Sequence, residues 1–249
     1  MNVNTYPGLD MKTVPGSNTQ KNVNRDIMRL LQRFTDLASL KTVLDIPCGE
    51  GEWAHFLKSR FPHLRILGVD KFAKVKFDDF EFHQMDIHDF FQTVKPANVD
   101  LISSISGVMC FDGIESLFAH FRSSLTTGGH LVVTNDNIMT VRDRLSFLFF
   151  GYFRRFRLLF SPSEGNWNVV LPQALVMFLQ RNGFQIEAIK YTSIYFEDYL
   201  LLPVALLIYP FLAFNLVRYR SEIPLKVRFQ IFPFKMLLAR HYVMIAKKI

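Results

Sequence analysis

The spacing of apolar residues changes period several times along the chain, and each change marks an element. Short apolar runs recur at 43–46, 65–70, 80–84, 99–104 and 130–135. Runs of this length read as strands buried on both faces of a parallel sheet. Helical periods lie before and between them. Ile27, Leu30, Leu31, Phe34 and Leu37 share one face of a helix over 22–40. Trp53, Phe56 and Leu57 begin another directly after the first strand, and 114–125 forms a third. Thr126-Thr127-Gly128-Gly129 reads as the glycine stop of that third helix. Further on, 172–182 is helical up to Gly183, 184–193 extends as a strand, and 241–248 alternates as a last strand. Alternating strands and helices predict an α/β domain whose ligand crevice lies at the carboxyl edge of the sheet.

The first strand carries the most specific chemistry. Val43, Leu44 and Ile46 surround an acid, Asp45, and a glycine turn follows, Gly49-Glu50-Gly51. Glycines there permit positive φ and a close approach of ligand to backbone. Gly49, Gly51 and Ala54 also satisfy the dinucleotide spacing G-x-G-x-x-A. Asp45 argues against that ligand, because a carboxylate at the strand end repels a pyrophosphate. It suits a ligand with an ammonium group and no phosphate, such as S-adenosylmethionine.

At this point the chain resembles the class I S-adenosylmethionine-dependent methyltransferases, whose first motif is an apolar strand, an acid and x-G-x-G-x-G. The corresponding stretch is Asp45-Ile46-Pro47-Cys48-Gly49-Glu50-Gly51, with Pro47 in place of the first glycine. Proline fixes φ near −65° and removes an N–H, which suits a tight turn and forbids positive φ. The resemblance implies a seven-stranded Rossmann-like sheet with its last strand antiparallel, and S-adenosyl-L-methionine as cofactor. It assigns the cofactor's methionine end to Asp45, Pro47, Cys48, Gly49 and Gly51. Asp70, with Lys71 beside it, ends the second strand and is placed on the ribose hydroxyls. Asp86 is placed on the adenine amino group, with Met85 and Ile87 against the ring. Ser103 and Ser104 begin a loop, 103–107, expected to face the sulfonium. The matching motifs run from 41 to 137 in the family's order.

Composition and charge then sharpen the picture. Nearly half of the 249 residues are apolar, with 26 phenylalanines, and the formal net charge is +7. That charge is local. Residues 141–160 hold five arginines against Asp143, and 218–240 hold six basic residues against Glu222, so the remainder is slightly acidic. Basic residues set among Phe and Leu point to an anionic membrane surface and not to nucleic acid. Cys48 and Cys110 lack metal-ligand spacing and suggest a reducing compartment without disulfides. No metal is expected, and His83, His88 and Asp89 read as surface residues. The polar amino terminus lacks the apolar core of a signal peptide.

Residues 1–20 are expected to form a loose tail and 21–249 one methyltransferase domain, with insertions at 141–165 and 195–240. The first insertion mixes Phe, Leu and Arg over 142–160 in the manner of an interfacial helix. The second runs uncharged from Tyr199 to Val217, close to the length of a membrane span. A single crossing would separate strands that share one sheet, so shallow embedding or an in-plane helix fits better, with a soluble lid or homodimer surface as the alternative. An R-x-R-L-x-F-L-x-x-G pattern at Arg142–Gly151 resembles bacterial methyltransferases of surface-glycan and lipid-linked pathways. Those often have a histidine where this chain has Glu164-Gly165-Asn166-Trp167-Asn168.

The expected reaction is methyl transfer to an oxygen of a lipid-linked glycan or other amphipathic acceptor, by a protein held peripherally on the cytoplasmic face of the membrane. A methyltransferase for a soluble small molecule and a non-catalytic cofactor-binding subunit are the alternatives. Asp136 is the candidate base, ahead of Glu164 and His55. Asn135, Asn137, Asn166 and Asn168 are candidates to orient a sugar.

Overall fold

The computed structural model describes residues 10–16, 19–72, 74–154, 156 and 168–249. Seven strands form one sheet: β1 (Thr42–Asp45), β2 (Arg65–Asp70), β3 (Glu81–Gln84), β4 (Val99–Ser104), β5 (Leu125–Asp136), β6 (Phe184–Thr192) and β7 (His241–Lys248). Their order is 3-2-1-4-5-7-6. Strands β1 to β5 pair in parallel, and β7 enters antiparallel between β5 and β6. This is the expected Rossmann-like methyltransferase architecture. It brings the carboxyl ends of β1, β2, β4 and β5 and the amino end of β7 to one edge.

The helices are α1 (Val23–Phe34), α2 (Glu52–Arg60), α3 (Ile87–Thr93), α4 (Ile114–Ser124), α5 (Val141–Phe150), α6 (Pro172–Arg181), α7 (Phe196–Tyr199), α8 (Leu202–Arg218) and α9 (Leu225–Ile231). They cover both faces of the sheet, so alternate strand residues enter different cores. Val43, Val243 and Ile245 pack with α1 and α2, whereas Leu44, Tyr242 and Met244 pack with α4 and α6.

Several boundaries differ from the sequence pattern. The first helix stops at Phe34 and not at residue 40, because Asp36 forms a local turn, its carboxylate accepting from the Ala38 amide at 3.2 Å. Leu37 and Leu40 stay buried without being helical. Gly128 and Gly129 lie inside β5, where the pairing with β4 slips by a bulge; α4 has already ended at Ser124. The first inserted helix is shorter than 142–160, since Gly151 adopts φ 74° and closes α5. Helix α9 follows Pro224 and has no side-chain cap, so the sequence pattern does not mark its start. Residues 10–16 pack against the body. Val14 is buried, Asn24 donates to the Pro15 carbonyl, and Arg60 donates to Thr13 Oγ1.

The second insertion contains α7, α8 and α9. Ala205, Ile208, Tyr209 and Leu212 turn one face of α8 to the core, and Tyr209 meets Phe234 edge to face. Arg228 donates to the carbonyls of Leu216, Tyr219 and Ser221, closing the carboxyl end of α8. At 17 residues α8 spans about 25 Å, short of the roughly 30 Å hydrocarbon layer. Among the described residues, no helix is long and apolar enough to cross a membrane.

Candidate functional site

Two cavities lie along the carboxyl edge and share Pro47 and Asp70. The first, about 200 Å³, is lined by Asp45, Cys48, Gly49, Trp53, Asn24 and Ser106, among others. The second, about 450 Å³, is lined by Asp70, Lys71, Met85, Asp86, Ile87 and Phe111, among others. Together they form an elongated crevice with a polar, acidic end and an apolar end.

The turn after β1 shapes the first cavity. Gly49 and Gly51 have φ of 55° and 87°, the left-handed region that favours glycine. A Cβ on Gly51 would stand 2.6 Å from the Phe80 ring, whereas Gly49 faces open space. The Gly49 amide donates to Asp70 Oδ2 at 3.1 Å, and the Phe72 amide to Asp70 Oδ1 at 2.9 Å. Asp70 thus ties the β1 and β2 loops together. Asp45, Glu50, Glu52 and Asp70 all line the cavity, and among its described lining residues there is no Lys or Arg. A pyrophosphate would meet four carboxylates, which excludes a dinucleotide in this orientation.

Asp45 is fully buried. It accepts from Ser103 Oγ at 2.8 Å through Oδ1, and Oδ2 has no hydrogen-bond partner among the described residues. Burial pushes its pKa up to about 7; the Ser103 bond works against that rise and nearby Asp70 adds to it. Trp53 Nε1 is likewise buried at this cavity without a partner among the described residues. Burial also raises the Cys48 thiol, which keeps it protonated and unreactive. Neither cysteine is in a disulfide.

In the second cavity, Asp86 caps α3 by accepting from the His88 amide at 2.9 Å and pairs with Lys71 Nζ at 3.1 Å. These contacts hold its pKa below the ordinary value, the amide bond chiefly. Ser103 and Ser104 are wholly buried in β4 and line neither cavity; the lining residues of that loop are Ile105 and Ser106.

The candidates for the chemistry are placed less directly. Asp136 is buried at the end of β5, with Oδ1 3.2 Å from His241 Nδ1, and lines neither cavity. His55 points away from the crevice, 2.9 Å from Asp79 and stacked on Phe77. Asn137 donates to the Met236 and Ala239 carbonyls, Asn135 to Val170 and Asn168 to Phe111, so these amides brace the fold. Glu164 and Asn166 lie outside the described residues. Among the described residues, no three His, Cys, Asp or Glu side chains gather to hold a metal ion. The sequence pattern singles out neither His241 nor Asn24 for the site, takes Ser106 only as part of the loop 103–107, and takes Trp53 only as a helix-face residue.

The sequence matches the methyltransferase-domain family over residues 19–189, more than two thirds of the chain. The chain belongs to the class I S-adenosylmethionine-dependent methyltransferases. This methyltransferase is 31% identical over 115 residues to a trans-aconitate 2-methyltransferase of Acidovorax sp. (strain JS42). That match covers 44% of this chain and 43% of the relative, less than half the length of either. Among solved structures, a SAM-dependent methyltransferase from Archaeoglobus fulgidus superimposes with TM-score 0.58 at 18% identity, covering 90% of this chain and 91% of that one. A Haemonchus contortus phosphoethanolamine-type N-methyltransferase, solved with S-adenosylhomocysteine, gives TM-score 0.54 at 16% identity, covering 92% and 53%.

The crevice of this methyltransferase fits the family's cofactor, S-adenosyl-L-methionine. The unpartnered oxygen of Asp45 meets the need of an ammonium group, and the apolar flank of Met85 and Ile87 that of a flat ring.

Proposed function

We propose that this methyltransferase methylates a hydroxyl of an amphipathic acceptor, a lipid-linked glycan or similar, while resting on the anionic cytoplasmic face of a membrane. S-adenosyl-L-methionine supplies an electrophilic methyl group when bound. The residues assigned to it keep the roles expected above: Asp45 on the ammonium group, Asp70 on the ribose, and Met85 and Ile87 on the adenine, with Asp86 at that end. For Asp70, an Asp70→Ala change should weaken S-adenosylmethionine at least tenfold by calorimetry, since it removes both an acceptor and the tie to Gly49. Unchanged affinity would overturn the ribose assignment.

The observation that carries the membrane part is the run of large apolar side chains left in solvent on two inserted helices. On α5, Phe147, Leu148, Phe149 and Phe150 are each more than half exposed, as are Leu206, Leu207, Phe211, Phe214 and Val217 on α8. Patches of this kind mark interaction surfaces. Exposed Arg218 ends α8, and exposed Arg220 and Lys226 come after it, which favours an anionic bilayer over a second copy of the chain. Other basic residues are occupied internally: Arg240 pairs with Asp198 and Glu197, and Arg144 donates to the Met139 carbonyl. A groove between α5 and α7, about 510 Å³, is lined by Phe149, Phe150 and Leu200 with Arg142, Arg154 and Glu197, and offers apolar walls to an amphipath.

Flotation tests this. Vesicles rich in phosphatidylglycerol should carry the protein at low salt, and phosphatidylcholine vesicles should not. Exchanging Phe149 and Phe150 for serine should cut partitioning by roughly tenfold or more, from the apolar area lost. Protein that stays unbound at low salt would overturn the membrane proposal. It would favour a soluble acceptor, which the trans-aconitate relative independently suggests.

A further inference from the structure

We propose that Ser106, His241 and Asp136 form a proton relay leading from the cofactor cavity into the sheet, with Ser106 as the end that touches the acceptor hydroxyl. The inference rests on the methyltransferase reading of the crevice and on a hydroxyl acceptor.

The topology brings the three residues together. Strand β7 runs against its neighbours, so its first residue, His241, arrives at the carboxyl edge where the other strands end. The β5–β7 register sets His241 directly opposite Asp136. His241 is completely buried, with Nδ1 3.2 Å from Asp136 Oδ1. Its other ring nitrogen, Nε2, lies 3.5 Å from Ser106 Oγ. Contacts of this length in an empty site commonly shorten when substrate binds. Ser106 Oγ is also 3.1 Å from Thr19 Oγ and faces the cavity that holds Asp45 and Gly49.

Ser106 is held there at a cost. Its φ is 56°, which a serine rarely adopts. Its amide is held by Thr134 Oγ1 at 2.9 Å. Strained non-glycine residues of this kind concentrate at functional sites. A histidine serving only the fold would need partners for its ring nitrogens. It would not need one of them to be a hydroxyl that opens on the ligand cavity.

The chemistry balances without a further reactant. As the acceptor oxygen bonds to the methyl carbon, the carbon–sulfur bond breaks and its electron pair stays on sulfur. The acceptor's proton passes to Ser106 Oγ while the serine's own proton passes to His241 Nε2. Asp136, on Nδ1–H, fixes the tautomer that leaves Nε2 able to accept and then stabilises the imidazolium. His241 and Asp136 act through Ser106 and are positioning residues.

Two measurements test the relay. In protein labelled with ¹⁵N-histidine, His241 should show the Nδ1–H tautomer. Its Nε2 resonance should move downfield in Ser106→Ala and in Ser106→Gly, the second of which tolerates the positive φ. A ring protonated on Nε2 alone, or one indifferent to Ser106, overturns the relay. With radiolabelled S-adenosylmethionine and a total lipid extract of the source organism as acceptor, Ser106→Ala and Asp136→Asn should each lower kcat at least tenfold. The KM for S-adenosylmethionine should change less than threefold. Equal kcat in variant and wild type overturns the relay, whereas wild-type protein that fails to bind S-adenosylhomocysteine by calorimetry overturns the cofactor reading beneath it.

Discussion

Asp45→Asn should weaken S-adenosylmethionine binding by roughly a hundredfold at pH 8 and, in the same protein, raise the melting temperature of the cofactor-free form by roughly 5 °C. The two effects have opposite signs because one carboxylate does both jobs. It is buried, one of its oxygens lacks a partner among the described residues, and its pKa rises from 3.8 to about 7. A carboxyl whose pKa is higher folded than unfolded contributes stability that is complete below the unfolded value and lost as pH rises through the folded value. That window runs from about pH 4 to about pH 7. The shift sets a ceiling of roughly 4 kcal/mol on the cost of holding Asp45 ionised in the empty site. Asparagine keeps an oxygen for Ser103 and removes the charge, so part of that cost is recovered. Calorimetric melting at pH 5 and pH 8 checks it: wild type and variant should melt close together at pH 5 and separate at pH 8. An equal gap at both values would mean that charge burial is not the cause. In binding, the ammonium group needs the ionised carboxylate, so wild-type affinity should also fall as pH drops below about 7.

Most of the frame was legible from residues whose pattern is local. Asp45 and Asp70 stand at the ends of apolar runs, and both line the crevice. The last strand is legible from its alternation, and its antiparallel entry is what the resemblance to the class I methyltransferases implies. What the sequence could not supply were long-range register and loop geometry. Asp136 stands out in the sequence as an acid at the end of an apolar run, but its neighbour His241 comes from 105 positions further along the chain and meets it only through the β5–β7 ladder. The loop after β4 shows a related effect. β4 runs through Ser104 and keeps the side chains of Ser103 and Ser104 inside, so Ser106 is the serine that lines the cavity. The basic segments were visible as composition, but composition does not tell Arg228 and Arg240, which hold the fold, from Arg218 and Arg220, which face solvent.

Pro47, the departure from the family's glycine motif, has a partner that the motif does not mention. A Cβ built on Gly107 would come within 2.1 Å of Pro47 Cδ and 3.1 Å of Ser104 Oγ. The φ of Gly107 is −98°, ordinary for any residue, so space and not conformation demands glycine there. The proline ring is rigid and cannot rotate away. Gly107→Ala should therefore force the loop after β4 away from the turn after β1. Overpacking of this kind costs roughly 3 kcal/mol, or a melting temperature lower by roughly 9 °C for a chain of this size. Because Ile105 and Ser106 sit on the displaced loop, affinity for S-adenosylmethionine should fall with it. Pro47→Gly, which restores the family's residue, removes the ring that fills this space. The double variant should then lose less than the sum of the two single changes, a coupling of roughly 2 kcal/mol between residues in direct contact. Denaturant melts of the four proteins measure that coupling. Strictly additive losses would mean that the ring of Pro47 is not what excludes a side chain at position 107.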